Sequence, residues 1–223
     1  MAMTNSDHFT VARRHMVASQ LRPNKVTDDR LAQAMEQVPR EMFVPKSLRG
    51  VAYLDEDIEI ADGRYLMEPM VLARLLQAAE VRADDIVLDV GCGSGYSTAV
   101  IARLAGTVVG VESDSALAAR ATDLLTDLEV DNAAVVEGAF DAGLPDQGPY
   151  DIILLNGAVP AAPAALLDQL AEGGRLVAVI RSDQPTGLAI RFSRHGDGVS
   201  RKVLFDATCP PLPGFEMPTG FVF

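Results

Sequence analysis

Three glycines and two acids carry the first chemical signal in this chain. Ile86-Val87-Leu88-Asp89-Val90 is an apolar run holding one acid, and Gly91, Gly93 and Gly95 follow at every second position before Tyr96 opens a helical pattern. The run reads as a buried strand, the glycines as a tight turn, and the next residues as a helix start. Glycine lets backbone approach a ligand closely, and a helix N-terminus offers unpaired N–H groups and the positive end of a dipole. Dinucleotide sites read G-x-G-x-x-G, the third glycine allowing close helix–strand packing beside a pyrophosphate. Here the order is G-x-G-x-G, with Tyr96 in the third glycine's place. An acid just before the loop suits a ligand ammonium better than a phosphate. The next strand pattern, Val108-Val109-Gly110-Val111, ends in Glu112, 21 residues beyond Gly91. An acid at that point can take both hydroxyls of a ribose.

These residues need a sheet to hold them. Strands are expected at 86–90, 107–111, 133–136, 151–155 and 174–180, and helices at 96–104, 114–127 and 162–170. Regular alternation of this kind argues a doubly wound α/β fold, mostly parallel, with helices on both faces. Leu188–Phe192 and Lys202–Phe205 flank His195-Gly196-Asp197-Gly198, a hairpin signal, so an antiparallel pair should follow the parallel strands. Upstream, Phe9 to Leu21 has helical spacing and Pro23 stops it; a second helix opens with Thr27 as expected N-cap and ends at Pro39. Ala52 to Ile60 reads as extended and Gly63 to Pro69 as a loop. Pro69 then suits the first turn of a helix running to Ala79. The N-terminal helices are too short to build a core of their own, so they should pack over the cleft. The expected organisation is one domain over 1–223: a helical cap at about 8–60, a cofactor-binding core at 61–181, and a C-terminal hairpin and tail at 182–223. Residues 1–6 are polar and expected to fray, and the proline-stiffened tail from Cys209 to Phe215 reads either as a surface segment or as a wall of the substrate cleft.

Composition removes several classes of function. Hydrophobic residues make up 48% of the 223, enough for a sizeable core. The net charge is −12 and the pI about 4.6. Binding to a phosphate backbone needs a basic surface, so no nucleic-acid partner is expected. Cys92 and Cys209 make no disulfide framework and no metal-ligand spacing. No apolar run approaches a membrane span and no leader pattern is visible, so a cytoplasmic protein is expected. A monomer is expected rather than a dimer.

The glycine loop with its two acids resembles the S-adenosylmethionine site of Rossmann-like methyltransferases. A wider resemblance lies upstream. Met16-Val17, Gln20-Leu21-Arg22, Val26-Thr27-Asp28-Asp29-Arg30-Leu31, Ala34-Met35, Val38-Pro39-Arg40-Glu41-Met42-Phe43-Val44-Pro45, Ala52-Tyr53 and Asp55 resemble the N-terminal part of the protein-L-isoaspartate O-methyltransferases. Leu88 to Tyr96 and residues 163–177 match that family too, so the resemblance covers about 10 to 180. It implies a repair enzyme that methylates isoaspartyl carboxylates in damaged proteins and releases S-adenosyl-L-homocysteine. It also implies that Asp89 orients the methionine amine, that Gly91, Gly93 and Gly95 pass under the sulfonium end, and that Glu112 holds the ribose. Leu66, Tyr96, Ser113, Glu137, Gly138, Ala139 and Asn156 would complete the cofactor site, and Arg64, Met67, Glu68 and Pro69 would face the substrate.

Two positions depart from the family pattern. The active-site serine position holds Met67, whose thioether cannot donate a hydrogen bond. Where the family often has Gly-Asp-Gly near the adenine, this chain has Glu137-Gly138-Ala139. Methyl transfer to a carboxylate tolerates such losses, because the acceptor is ionised at neutral pH and needs alignment rather than a general base. A relative with a different acceptor, or a catalytically silent cofactor-binding protein, are the alternative readings.

Overall fold

The computed structural model describes residues 5–181 and 186–215. Expectations for residues 1–4 and for the tail past 215 lie outside them. Helix α1, Asn5–Met16, runs into one wider turn at Val17–Leu21, and α2, Asp29–Gln37, follows. The cap of α2 is Asp28 rather than Thr27. Its carboxylate accepts from the N–H groups of Arg30 at 2.8 Å and Leu31 at 3.2 Å, satisfying two donors that the helix start leaves open. Leu31 and Met35 are buried on the inner face of α2, each worth about 1.5–3 kcal/mol of transfer free energy.

Two expectations between 52 and 69 are corrected. Lys46–Val51 is a 3-10 helix, and the stretch after it becomes extended only at β1, Ile58–Ala61. The supposed loop after Gly63 contains β2, Arg64–Leu66, paired antiparallel with β1 so that Ile58 faces Leu66. Gly63 makes the turn at φ +64°, a left-handed conformation that suits glycine. Helix α3, Pro69–Ala79, starts as expected with proline in its first turn.

From there the chain builds β3, Ile86–Val90; α4, Tyr96–Ala102; β4, Thr107–Glu112; α5, Ser115–Asp127; β5, Ala133–Glu137; and β6, Tyr150–Val159. It ends with α6, Ala164–Leu167; β7, Leu170–Ile180; β8, Gly187–His195; and β9, Gly198–Ala207. The seven strands lie in the order β5-β4-β3-β6-β7-β8-β9. The first five are parallel, and β8 and β9 are antiparallel to their neighbours, as the hairpin signal predicts. The order reverses between β3 and β6, so a crevice opens at their C-terminal ends.

Side chains along the strands alternate between two cores. Val87, Val108, Ile152, Leu154 and Val177 join α2, α3, α4 and the N-terminal helices in one. Leu88, Val109, Ile153, Leu155 and Leu176 join the other. Both faces are covered, but unequally. The second core is closed mainly by the segment around Phe140, by α6 and by Leu212. The helix expected at 162–170 shrinks to four residues because Leu170 already pairs with Tyr150 at the start of β7.

Candidate active site

The crevice at the ends of β3 and β4 is built around two buried carboxylates. Asp89, in β3, is completely enclosed. Its Oδ2 accepts from Ser97 Oγ and Thr98 Oγ1, both at 2.7 Å, and its Oδ1 from the Asn156 amide. Burial pushes its pKa up to about 6; the three hydrogen bonds work against that rise and the nearby Glu112 charge adds to it. Asp89 therefore ties the end of β3 to the start of α4 and to β6, and does not face an open cleft.

Glu112 closes β4 and is equally enclosed. Backbone N–H groups fix it: Gly93 donates to Oε2 at 2.7 Å, and Ser113 and Asp114 donate to Oε1 at 2.9 and 3.1 Å. Arg64 completes the set, giving Nε to Oε1 at 3.2 Å and Nη2 to Oε2 at 2.7 Å. The same Nη2 reaches the Gly91 carbonyl at 3.0 Å, and the guanidinium lies 5.0 Å from the Phe140 ring centroid. The glycine turn between the acids leaves no spare room. A Cβ on Gly91, at φ +74°, would sit 2.5 Å from Leu212 Cδ1.

The opposite wall carries Met67. Its side chain is 4% exposed and belongs to the first core, yet it also lines a narrow cleft with Asp57, Arg64, Asn156 and Cys209. Its backbone is held from below. Arg40, fully buried, donates Nε to the Ala52 carbonyl at 2.7 Å and Nη2 to the Met67 carbonyl at 2.8 Å. That guanidinium also sits 4.8 Å from the Tyr96 ring centroid, so the N-terminal layer, the Met67 turn and the first residue of α4 meet on one cation. Beside Met67, three acids crowd the start of α3. Asp57 accepts from the Glu68 N–H at 2.9 Å, and Asp55 from the Met70 N–H at 3.3 Å. Burial first, then the charges of Asp57 and Asp55, raise the Glu68 pKa to about 7.

The residues singled out in the sequence thus divide. Arg64, Met67, Asn156, Asp89, Glu112, Ser113 and the three glycines converge on the crevice. Leu66 is buried and pairs with Ile58, and Pro69 is buried in α3. Tyr96 is buried under the N-terminal layer, its ring 5.5 Å from that of Phe43. Glu137 and Ala139 are exposed at the end of β5, while Gly138 donates to the Glu112 carbonyl at 3.0 Å. The tail is packed rather than free on the surface: Cys209 and Leu212 are buried, the Leu212 N–H donates to the Ala158 carbonyl at 2.8 Å, and the Ala158 N–H to that of Pro210 at 2.8 Å. Arg40 and Phe140 were missed. Arg40 lies within the Val38–Pro45 match but had no role assigned there, and nothing local marks Phe140; the partners of both lie far along the chain. The residue types around the turn suit an adenosyl ligand: a glycine cradle, and a strand-end carboxylate held rigid by backbone N–H groups. The space above them is taken by Arg64 and Leu212. Among the described residues no three His, Cys, Asp or Glu side chains are grouped to hold a metal.

A sheet with this strand order, a glycine turn at its switch point, and an acid closing the neighbouring strand define a Rossmann-like protein of the methyltransferase class. The family model for protein-L-isoaspartate(D-aspartate) O-methyltransferase matches residues 12–208, and the chain belongs to that family. It is 37% identical to protein-L-isoaspartate O-methyltransferase 1 of Rhodopseudomonas palustris strain HaA2 over 93% of this chain and 85% of that one. It is 39% identical to the Roseiflexus castenholzii enzyme of the same name over 92% of this chain and 94% of the relative. Among solved structures, a protein-L-isoaspartate O-methyltransferase superposes with TM-score 0.79 at 25% identity, over 91% of this chain and 66% of that longer one. A Plasmodium falciparum structure assigned to the same family, in complex with S-adenosyl-L-homocysteine, superposes with TM-score 0.77 at 23% identity, over 90% of this chain and 97% of that one.

Proposed function

We propose that this chain is an S-adenosylmethionine-dependent carboxyl O-methyltransferase acting on isoaspartyl residues of damaged proteins. The observation that carries this reading is the family match from residue 12 to 208, which takes in the N-terminal layer as well as the common glycine loop. S-adenosylmethionine, when bound, supplies a methyl group on a sulfonium. Glu112 would hold its ribose hydroxyls, supported by Ser113, and the side-chain-free Gly91–Gly95 turn would lie under its sulfonium end. Asp89 fixes that turn through Ser97, Thr98 and Asn156, and Asn156, which lines the cleft, would present its polarity toward the amino-acid moiety. Glu137, Gly138 and Ala139 would border the adenine, with Leu66 and Tyr96 behind the site. Arg64, Met67, Glu68 and Pro69 face the acceptor. The acceptor carboxylate is ionised at neutral pH and attacks directly, so these residues orient it and exclude water rather than take a proton.

The chain acts as one unit, with cap, core and hairpin sharing the work, and as a cytoplasmic monomer without a nucleic-acid partner; its net charge of −12 supports the last point. The test is incubation with labelled S-adenosylmethionine and an isoaspartyl peptide. Base-labile methyl ester is the expected product, absent with the ordinary aspartyl peptide. Label transferred to neither peptide, or only to another acceptor, overturns the reading. Met67 favours that second outcome, a methyltransferase of this lineage with a less polar acceptor.

A further inference from the structure

Arg64 occupies Glu112 in the way a ribose would. Its Nε and Nη2 reach the two carboxylate oxygens separately, at 3.2 and 2.7 Å, a forked pair of donors where a vicinal diol offers two hydroxyls. The other donors to Glu112 are the N–H groups of Gly93, Ser113 and Asp114, which are fixed by the turn, and the Ser113 hydroxyl at 3.5 Å. Arg64 is therefore the group that yields when a ribose arrives. A displaced guanidinium cannot remain unpaired, because a buried charge without a partner is costly. Arg64 is 5% exposed and already lines the cleft that holds Met67 and Asn156. Within that lining, Asp57 is the one anion, and its carboxylate already accepts from the Glu68 N–H.

We infer that Arg64 changes partner during the reaction: it pairs with Glu112 in the empty site and, once the ribose takes Glu112, holds the acceptor carboxylate. Arg64 then supplies the donor that Met67 cannot. This rests on the carboxyl-methyltransferase reading above. It makes cofactor and acceptor mutually reinforcing, since each stabilises the same swung-out arginine.

The test is calorimetric titration of S-adenosyl-L-homocysteine into the intact protein, with and without saturating isoaspartyl peptide, for the natural chain and Arg64→Met. The natural chain should bind the product at least tenfold more tightly when the peptide is present. Arg64→Met should bind it at least tenfold more tightly than the natural chain when the peptide is absent, and show no response to peptide. Arg64→Lys, which keeps the charge but loses the fork, should show the same signs at smaller size, and serves if the methionine variant does not fold. Equal or weaker binding by the variants overturns the competition at Glu112. Tighter binding with the peptide response intact overturns the change of partner and places the displaced arginine on Asp57. A natural chain that makes no isoaspartyl ester overturns the repair reading and the acceptor role together, while the peptide-free titration still decides the competition.

Discussion

Arg64 and Glu112 lie 48 residues apart in sequence and form a bidentate ion pair, with side chains 6% and 0% exposed. Such a pair is weak evidence for stability while intact and a strong liability once broken. Glu112→Ala should leave the Arg64 guanidinium buried with the Gly91 carbonyl as its remaining hydrogen-bond acceptor and the Phe140 ring beside it, at a cost of about 3–5 kcal/mol. Urea denaturation measures that loss. The same variant should lose most of its affinity for S-adenosyl-L-homocysteine, and retention of both stability and affinity would sink this account of the site.

Gly91→Ala should be destabilising for two separable reasons. A side chain at φ +74° costs about 1–2 kcal/mol, and the new Cβ meets Leu212 Cδ1 at 2.5 Å. Leu212→Ala in the same chain should recover the contact part and leave the backbone part. A double-mutant cycle with no coupling would show that the tail does not press on the turn.

Met67→Ser should trade stability for activity. The side chain lies in the core, and shortening a buried methionine costs about 2–5 kcal/mol. A hydroxyl in that cleft should raise methyl-ester formation on an isoaspartyl peptide about tenfold, the effect of one hydrogen bond worth roughly 1.4 kcal/mol. Lower melting temperature with no gain in ester would remove this position from the acceptor site.

The raised carboxyls at the crevice predict a pH dependence of stability. Glu68 titrates at about 7 in the folded chain against an ordinary value of 4.5, so the folded state holds that proton more tightly than the unfolded state. Its contribution is therefore fully favourable below about pH 4.5 and is lost as pH rises through about 7. Asp89, pushed up to about 6, adds in the same direction. Glu68→Gln cannot ionise, and Glu68 makes no side-chain cap bond for the substitution to break. The variant's gain in urea midpoint over the natural chain should be small at pH 5 and larger at pH 8. An equal gain at both values would refute the shift.

The sheet was legible because a buried parallel strand writes its own pattern. Val87-Leu88, Ile152 to Leu155 and Val177-Ala178-Val179 supply side chains to both cores and so read as unbroken apolar runs. The hairpin at Gly196-Asp197 was legible from its turn. The β1–β2 hairpin carried the same kind of signal in Asp62-Gly63, but its strands are short and mixed with acids, and alternation over three or four residues is faint. The glycine turn and the acid of β4 were readable as a site because their spacing is local. Arg64 lying on Glu112, Arg40 under Met67 and Leu212 over Gly91 were not, since each is a contact between distant segments that share no period.

The segment carrying Leu212 is held to the end of β6 by the reciprocal bonds of Ala158 with Pro210 and Leu212, and by the Pro211–Ala158 bridge. A few hydrogen bonds, on a segment that leaves β9 at Ala207, make a shallow minimum compared with the strands beneath. This lid over the glycine turn is therefore a small opening unit of its own. The Leu212 N–H should exchange its hydrogen before the amides of β3, a difference that hydrogen-exchange measurements read directly.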